Sequence, residues 1–329
     1  MRANSDFDTH SVTAVTAARP DPGYDEPVIE PEELRDLPAA GPGAIASRKA
    51  AAPRVPARKR GLLLPREHGA WGMLLQPFLA AAIIGRTWSG LLPVSLLAVL
   101  VVFVMREPLL VLARQRWVWR TPHPETEAAR RTLWWELPAL AGCGLLLLTR
   151  IPLPWMAGLG GMAFLLTAGA LWMTLKNRQR SVLLQLVSAA GLSASSLLVG
   201  YLAAGSMAAP WIWWVWILHA LHSQSGIFAV HARLDAIAAQ RNPEKLGGQA
   251  KRAASHAWRL EGVNAAIGAA LAFWAGWVSV PVFFSVLIHV QSLMRLRNPE
   301  ALKEPLRKVG LRALAVSIVH SLAVILVLW

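Results

Sequence analysis

The sequence predicts an all-α integral membrane protein, a bundle of about nine transmembrane helices behind a polar N-terminal tail. Three observations predict this fold class. Hydrophobic residues make up 55% of the 329-residue chain, above the ~45–50% of ordinary soluble domains. They are gathered in runs long enough to cross the hydrocarbon core of a bilayer, which takes ~20 apolar residues. The basic residues lie in alternate connecting segments, as they do in membrane proteins.

The first 62 residues differ in composition from the remainder. They are rich in Pro, Ala, Asp and Glu and end in a basic run from Arg54 to Arg60. Such a segment buries too little apolar surface to fold alone, so residues 1–62 are expected to be a disordered cytoplasmic tail and 63–329 the transmembrane domain. Asp6 and Asp8 stand where a secretory signal would carry basic residues, and no cleavable signal peptide is expected.

Nine apolar segments follow, and each is long enough to span the membrane. The seventh and eighth meet at Ser279–Pro281, which predicts a tight hairpin because proline suits the start of a helix. In chain order the predicted spans are Gly69–Gly85, Leu91–Val111, Leu133–Thr149, Trp155–Leu175, Val182–Gly205, Trp211–Ile227, Gly262–Val278, Val280–Leu296 and Leu311–Trp329.

The distribution of basic residues orients the bundle. With nine spans and a cytoplasmic N-terminus, 31 of the 33 Lys and Arg fall on the cytoplasmic side, and only Arg86 and Arg150 fall outside. This agrees with the positive-inside rule and predicts an extracytoplasmic C-terminus. It also accounts for the net charge of +14 without a nucleic-acid partner. We therefore expect a multi-pass protein of a cell membrane, with the lipid bilayer as its environment.

A short string occurs twice after predicted spans, as Arg241–Glu244 and as Arg297–Glu300, each reading Arg-Asn-Pro-Glu. Asn at the cap, Pro at the first helical position and Glu in the first turn are typical of a helix start. Anion binding by the two helix N-termini is the alternative.

Polar residues inside the predicted spans mark candidate sites, because they are costly in a bilayer. His219 and His222 are spaced i, i+3 and share a helix face, a pattern that suits proton relay, a metal or haem, or ordinary hydrogen bonding. His320 stands alone in the last span and is expected to be a core histidine. The predicted topology places most of the polar side chains in the cytoplasmic half, which predicts a polar cavity open to the cytoplasm. They are Glu67, His68, Arg106, Glu107, Glu136, His219, His222, Ser223, Gln224, His231, Arg233, Asp235, Glu261, Asn264, His289, Gln291 and Arg295.

Roles follow from residue type. Glu67, His68 and Glu107 are the candidate catalytic residues, with Glu67 or Glu107 as general base. Arg106 and Arg233 are candidate anion anchors. The remaining candidate substrate-binding residues are His219, His222, Asp235 and Asn264. No metal ligand set is predicted, and the cofactor is unknown.

The string Pro65-Arg66-Glu67-His68-Gly69-Ala70-Trp71-Gly72-Met73-Leu74 resembles the opening motif of the YwiC-like family of bacterial membrane proteins. The resemblance runs from Leu62 to the C-terminus and is sharp only at its start. It implies a membrane protein of unestablished activity.

The predicted architecture is similar to that of UbiA-type intramembrane prenyltransferases, which implies nine spans and functional loops after the second and sixth. In that family, acidic motifs in these loops hold Mg²⁺ for a diphosphate group. Here the second span ends in Arg106-Glu107-Pro108, and the later loop offers Asp235 and then Glu244 without a paired carboxylate. A Mg²⁺ site of the usual kind is therefore not supported.

Three functions remain open. The first is a diverged UbiA-like fold that binds or modifies an isoprenoid or other lipid through a cytoplasm-facing cavity, with an anionic head held by arginine. If it is an enzyme, it is a prenyltransferase-like transferase without the usual Asp-rich motifs. The second is a small-solute transporter or permease. The third is a haem- or metal-binding membrane protein that uses His68, His219, His222 and His289.

Overall fold

The chain is helical throughout the part that the structure describes. The computed structural model describes residues 68–120, 125–176, 178 and 181–329, so the predicted tail lies outside it. The helices are α1 His68–Ile84, α2 Leu91–Arg114, α3 Glu125–Leu147, α4 Leu153–Leu175, α5 Val182–Ser193, α6 Ser195–Ala204, α7 Pro210–Arg241, α8 Pro243–Ala275, α9 Ser279–Arg295, α10 Pro299–Leu302 and α11 Leu306–Leu328. A π-helical turn at Gln115–Trp119 follows α2, and a 3₁₀ turn at Gly276–Val278 follows α8.

The all-helical membrane fold is confirmed. Five described segments are long and apolar enough to cross a membrane by length and composition, and α1 is a shorter apolar helix. Each of the nine predicted spans overlaps a helix, whereas the count of nine and the N-in orientation stay predictions. The five segments are Leu91–Val118, Leu153–Leu175, Val182–Ala204, Pro243–Arg295 and Leu306–Leu328.

Several boundaries differ from those expected. The region between the sixth and seventh predicted spans is helical, because α7 continues to Arg241 and α8 begins at Pro243. The fifth predicted span is two helices that meet at Ala194. The turn between α8 and α9 lies at Gly276, not at Ser279–Pro281. The φ of Gly276 is +54°, a left-handed backbone that glycine adopts without a Cβ clash.

Both repeated Arg-Asn-Pro-Glu strings start helices, as predicted. The side chain of Asn242 accepts a hydrogen bond from the backbone N–H of Lys245 at 3.3 Å, and α8 begins at the next residue, Pro243. The side chain of Asn298 accepts one from the N–H of Glu300 at 3.0 Å at the start of α10. Capping therefore explains the Asn-Pro pair in both places.

Helix α7 is the central helix of the bundle. It packs against α1, α5, α6, α8, α9 and α11. A helix surrounded by other helices can carry polar residues that a lipid-facing helix cannot. This explains why α7 is absent from the five apolar segments although it lies deepest in the bundle.

The peripheral helices show the opposite pattern. Only Thr174 is buried along α4, and Trp134 and Trp135 of α3 are about three-quarters exposed, at 75% and 76%. Large exposed apolar side chains of this kind suit hydrocarbon rather than water. The protein is therefore a multi-pass membrane protein whose polar residues are concentrated inside the bundle.

Candidate functional site

Four histidines from three helices meet inside the bundle, and we call them the histidine centre. His219 and His222 lie on α7, His289 on α9 and His320 on α11, and each residue is 1–7% exposed. The rings of His222 and His320 stack with centroids 4.1 Å apart. The centroid of His219 lies 5.6 Å from that of His320, and the centroid of His289 lies 5.1 Å from that of His222. The four rings form a continuous row.

The histidine centre lies at one depth. His219 is nine residues after the start of α7, His289 ten after the start of α9, and His320 eight before the end of α11. At 1.5 Å per residue these positions are about 12–15 Å from the helix ends that the predicted topology places outside. The depth of the centre in the bilayer stays a prediction, and with that topology it lies near the middle of a ~30 Å hydrocarbon core.

Serines on α9 and α11 hold His222 from both sides. Its Nδ1 lies 2.9 Å from the Ser285 hydroxyl oxygen, and its Nε2 lies 3.0 Å from that of Ser317. The Ser285 hydroxyl also lies 3.3 Å from His289 Nδ1. One hydrogen-bonded chain thus joins His289, Ser285, His222 and Ser317 across three helices.

Carbonyl partners fix the tautomer of two of these rings. His289 Nδ1 lies 2.7 Å from the Ser285 carbonyl oxygen, which only accepts, so Nδ1 of His289 carries a hydrogen. Both ring nitrogens of His222 face serine hydroxyls, which donate or accept, so its contacts suit either neutral tautomer. His219 follows the same rule as His289, because its Nδ1 lies 2.8 Å from the Val215 carbonyl and its Nε2 lies 3.2 Å from the Ser321 hydroxyl.

His320 differs from the other three. Both of its ring nitrogens are buried and make no hydrogen bond of normal geometry among the described residues, although the backbone carbonyls of Leu218 and Pro281 lie close to the ring. Its ring lies between His219 and His222 and stacks on His222 with an interplanar angle of 9°. Buried polar atoms without partners are uncommon in folded proteins. The expected solitary core histidine is therefore part of the cluster.

Apolar layers close the histidine centre on both sides along the helices. On one side Val215 and Leu218 of α7 pack with Val282 of α9 and Val324 of α11. On the other side Phe228 and Ala232 of α7 pack with Ala257 of α8 and Leu293 of α9. In this conformation the histidines are enclosed, and the expected cytoplasm-facing cavity stays a prediction.

A second polar contact lies one turn further along α7, against α8. The Asn264 side-chain nitrogen donates to the Ser225 hydroxyl at 2.9 Å, and the carboxyl of Glu261 also bonds to Ser225. Glu261 and Asn264 are each 2% exposed, and one oxygen of each lacks a hydrogen-bond partner among the described residues. Both lie well inside α8, which begins at Pro243, rather than at a helix start as the sequence indicated.

The other predicted binding residues on α7 lie beyond the histidine centre. Arg233 is 8% exposed, and its guanidinium donates to the carbonyl oxygens of Ala301 at 2.7 Å and Glu304 at 3.4 Å. Asp235 accepts a hydrogen bond from Gln249 of α8 at 3.0 Å. These contacts tie α7 to the segment before α11 and to α8, so anion anchoring by Arg233 stays a prediction.

The predicted residues of the first two spans lie elsewhere. Glu67 is outside the described residues, and His68 begins α1 with a side chain that the structure does not describe. Arg106 and Glu107 are half-buried on α2, which packs mainly against α3, α4 and α6. Of the nine predicted site residues, the structure brings together His219 and His222, with Asn264 one turn away.

Sequence reasoning missed the serines that complete the centre. Ser285 and His289 are spaced i, i+4 on α9, and Ser317 and Ser321 show the same spacing on α11, so each pair shares a helix face. This spacing can be read from the sequence, but the sequence does not show that these faces of α9 and α11 pack against the histidines of α7. Among the described residues no group of three or more His, Cys, Asp or Glu is placed to hold one metal ion.

The comparisons with known proteins agree with the resemblance seen at the start of the first span. Residues 64–200 match the family model of the YwiC-like proteins. No curated protein and no solved structure gives a significant match. The matched segment ends within α6, so the histidine centre, on α7, α9 and α11, lies beyond it.

Proposed function

We propose that this YwiC-like membrane protein is a proton-coupled transporter and that the histidine centre is its proton-transfer site. The observation that carries the proposal is the chain from His289 through Ser285 and His222 to Ser317. Ionisable residues inside a bilayer mark proton relays and transport paths in membrane proteins. Histidine suits this role because its ordinary pKa lies near neutrality.

The chain has the connectivity that proton transfer requires. Ser285 links the Nδ1 atoms of His289 and His222 at 3.3 and 2.9 Å. A proton that reaches His222 leaves both ring nitrogens protonated, so both donate to serine oxygens after the Ser285 hydroxyl rotates. When the Nε2 proton passes to the Ser317 oxygen, the Ser317 hydroxyl releases its own proton to water or the next acceptor on the path, and His222 returns to the neutral form. The two serines thus accommodate both protonation states of one buried ring.

The two apolar layers favour transport over simple conduction. A polar layer near the middle of the bundle, closed on both sides, is what a binding site has in the occluded state of a transporter. Opening one layer or the other would expose the same histidines to opposite sides of the membrane. The broken helix at Ala194, where α5 meets α6 beside α7, is a place for such movement.

A pH jump on a solid-supported membrane tests proton binding without knowledge of the solute. The full-length protein is reconstituted in liposomes, adsorbed to the sensor and stepped from about pH 8 to successively lower pH, through and below the range in which free histidine changes charge. A transient current that depends on the protein is expected, because a proton entering the centre crosses part of the membrane field. His222→Phe is expected to reduce the current to that of protein-free liposomes.

The matched control is His256→Phe. This variant makes the same substitution at an exposed position of α8, outside the histidine centre. Ser285→Ala keeps all four histidine rings and breaks the link between His222 and His289. It therefore tests proton transfer through the chain if His222→Phe does not fold. Equal currents in the wild type, His222→Phe and Ser285→Ala would reject the proposal. A current that persists at constant pH gradient would reject coupled transport in favour of conduction.

A second proposal is that the chain binds or modifies an isoprenoid or other lipid in a UbiA-like arrangement of helices. Its support is Arg106 and Glu107, which are half-buried 15 and 16 residues after the start of the apolar helix α2. A charged pair at this depth is costly unless it has a role, and arginine suits an anionic lipid head.

Lipid analysis of the purified protein tests this second proposal. Isoprenoid or polar lipid should be enriched over an unrelated membrane protein and reduced in Arg106→Gln, while Arg241→Gln, at an exposed position of α7, should keep it. Equal lipid content in all of these samples would reject lipid binding at Arg106.

A further inference from the structure

A basic pocket lies at the end of α2, away from the histidine centre. It has a volume of about 650 Å³, within the size range of small-ligand sites. We call it the arginine pocket. Its lining among the described residues contains three arginines and no acidic side chain: Leu112, Gln115, Arg116, Trp117, Arg120 and Arg130.

The backbone builds this pocket through an unusual helix end. The residues Gln115–Trp119 form a π-helical turn, a form that is rare and often found at functional sites. The turn ends at Arg120, whose φ of +57° is left-handed. A left-handed residue other than glycine, Asn or Asp is uncommon and carries strain. Together they turn the chain back so that Arg116 and Arg120 face the same space as Arg130 of α3.

A side-chain hydrogen bond joins the two segments that line the pocket. The Thr126 hydroxyl of α3 donates to the Gln115 side-chain oxygen at 2.9 Å and so joins the turn to the first helical turn of α3. The Glu127 carboxylate pairs with Arg131, which does not line the pocket. This ion pair engages a neighbouring arginine and not Arg130.

The pocket lies where lipid head groups are expected. The apolar stretch Leu91–Val118 ends at its rim, and Trp117 is 62% exposed there. Tryptophan is enriched at the boundary between hydrocarbon and water. The positive-inside distribution places this boundary on the cytoplasmic face, where anionic phospholipids attract clustered arginines.

We propose that the arginine pocket binds a phosphate group, supplied either by the head group of an anionic phospholipid or by a soluble phosphate compound. Guanidinium groups bind phosphate through paired, charge-assisted hydrogen bonds. Three of them around one open pocket bind a single anion from several directions. The site is separate from both functions proposed above.

The test uses the full-length protein in detergent, with two ligands added separately. Native mass spectrometry compares the number of phosphatidylglycerol and phosphatidylcholine molecules bound to the protein. Calorimetry measures the affinity of the protein for sodium pyrophosphate. The variant is Arg116→Gln, Arg120→Gln and Arg130→Gln combined. The control combines Arg241→Gln, Lys251→Gln and Arg259→Gln, which remove the same charge from exposed positions on α7 and α8.

Binding of at least one ligand is expected to weaken more than about tenfold in the pocket variant, since each hydrogen bond to a charged group contributes measurably, and to persist in the control. Preference for phosphatidylglycerol identifies the lipid as the source, and binding of pyrophosphate alone identifies a soluble compound. Equal losses in the two triple variants, or no loss in either, would overturn the site. Unchanged thermal unfolding of both variants checks that they fold.

Discussion

The imidazole of His222 lies flat against that of His320, with ring centroids 4.1 Å apart and planes 9° apart. The two rings have different surroundings. His222 bonds to Ser285 and Ser317, whereas neither nitrogen of His320 makes a hydrogen bond of normal geometry among the described residues. His222 therefore contributes hydrogen bonds as well as packing, whereas His320 contributes mainly packing. Substitutions of the two residues should change the free energy of unfolding by different amounts.

His320→Phe is expected to leave the fold as stable as the wild type or to stabilise it slightly. Phenylalanine keeps an aromatic ring beside His222 and removes two buried nitrogens that make no hydrogen bond of normal geometry, and such a replacement is neutral or stabilising. His222→Phe should reduce the free energy of unfolding by about 1–3 kcal/mol, because the Ser285 and Ser317 hydroxyls lose their partner. Unfolding of the purified proteins in one detergent measures both. Equal destabilisation by the two variants would mean that His320 has a polar partner in the folded protein.

Ser225→Ala should destabilise the contact between α7 and α8. The Ser225 hydroxyl serves both the Asn264 side chain, at 2.9 Å, and Glu261. Without it, two buried polar groups lose a partner, which costs about 1–3 kcal/mol of unfolding free energy. Ser89→Ala, at an exposed position before α2, is the matched control and should cost nothing measurable. A Ser225→Ala protein as stable as this control would show that Asn264 and Glu261 are satisfied in another way.

Gly85→Ala should disturb the packing of α1 against α6. An added Cβ would overlap the Cβ of Ala203 and lie 3.1 Å from the Trp211 ring. Overpacking of a close helix contact costs about 1–3 kcal/mol. Gly142→Ala adds the same methyl group on α3 where no heavy atom lies within 4 Å, and it should be neutral or stabilising because alanine favours helix. Thermal unfolding compares the two, and a Gly85→Ala protein no less stable than Gly142→Ala would contradict the close contact.

Local patterns in the sequence predicted the parts of this fold that local physics determines. Apolar runs located the helices, and the Asn-Pro pairs at 242 and 298 located two helix starts, because capping depends only on neighbouring residues. The i, i+3 spacing of His219 and His222 correctly placed them on one face.

Features that depend on distant residues could not be predicted in this way. The extension of α7 to Arg241 was missed because hydropathy detects apolar runs, and this part of the helix contains Arg233, Asp235 and Arg241 and is only partly buried. His222 meets Ser285 and Ser317 across 63 and 95 residues of sequence, so no local pattern reveals the chain. The lining of the arginine pocket depends on a π-helical turn, which apolar periodicity does not predict.

The stability of the segment before α11 should fall in acid because of Glu304. Its carboxylate bonds to Arg312 and lies 3.8 Å from Lys308. The hydrogen bond from Arg312, with the charges of Arg312, Lys308 and Arg233, lowers the pKa of Glu304 from its ordinary value of 4.5, although partial burial opposes this. A carboxyl whose pKa is lower in the folded protein contributes stability above its unfolded pKa and loses it as pH falls through the folded pKa. The contribution should thus be complete at neutral pH, begin to fall near pH 4.5, and be lost as pH falls further through the lower pKa of the folded protein. Glu304→Gln should lower the unfolding midpoint at neutral pH and match the wild type in acid.

The control is Glu300→Gln. Among the described residues the Glu300 carboxylate pairs only with the exposed Lys303, so this variant should change the unfolding midpoint little at either pH. A difference between wild type and Glu304→Gln that stays constant with pH would show that Glu304 acts through packing and not through its charge.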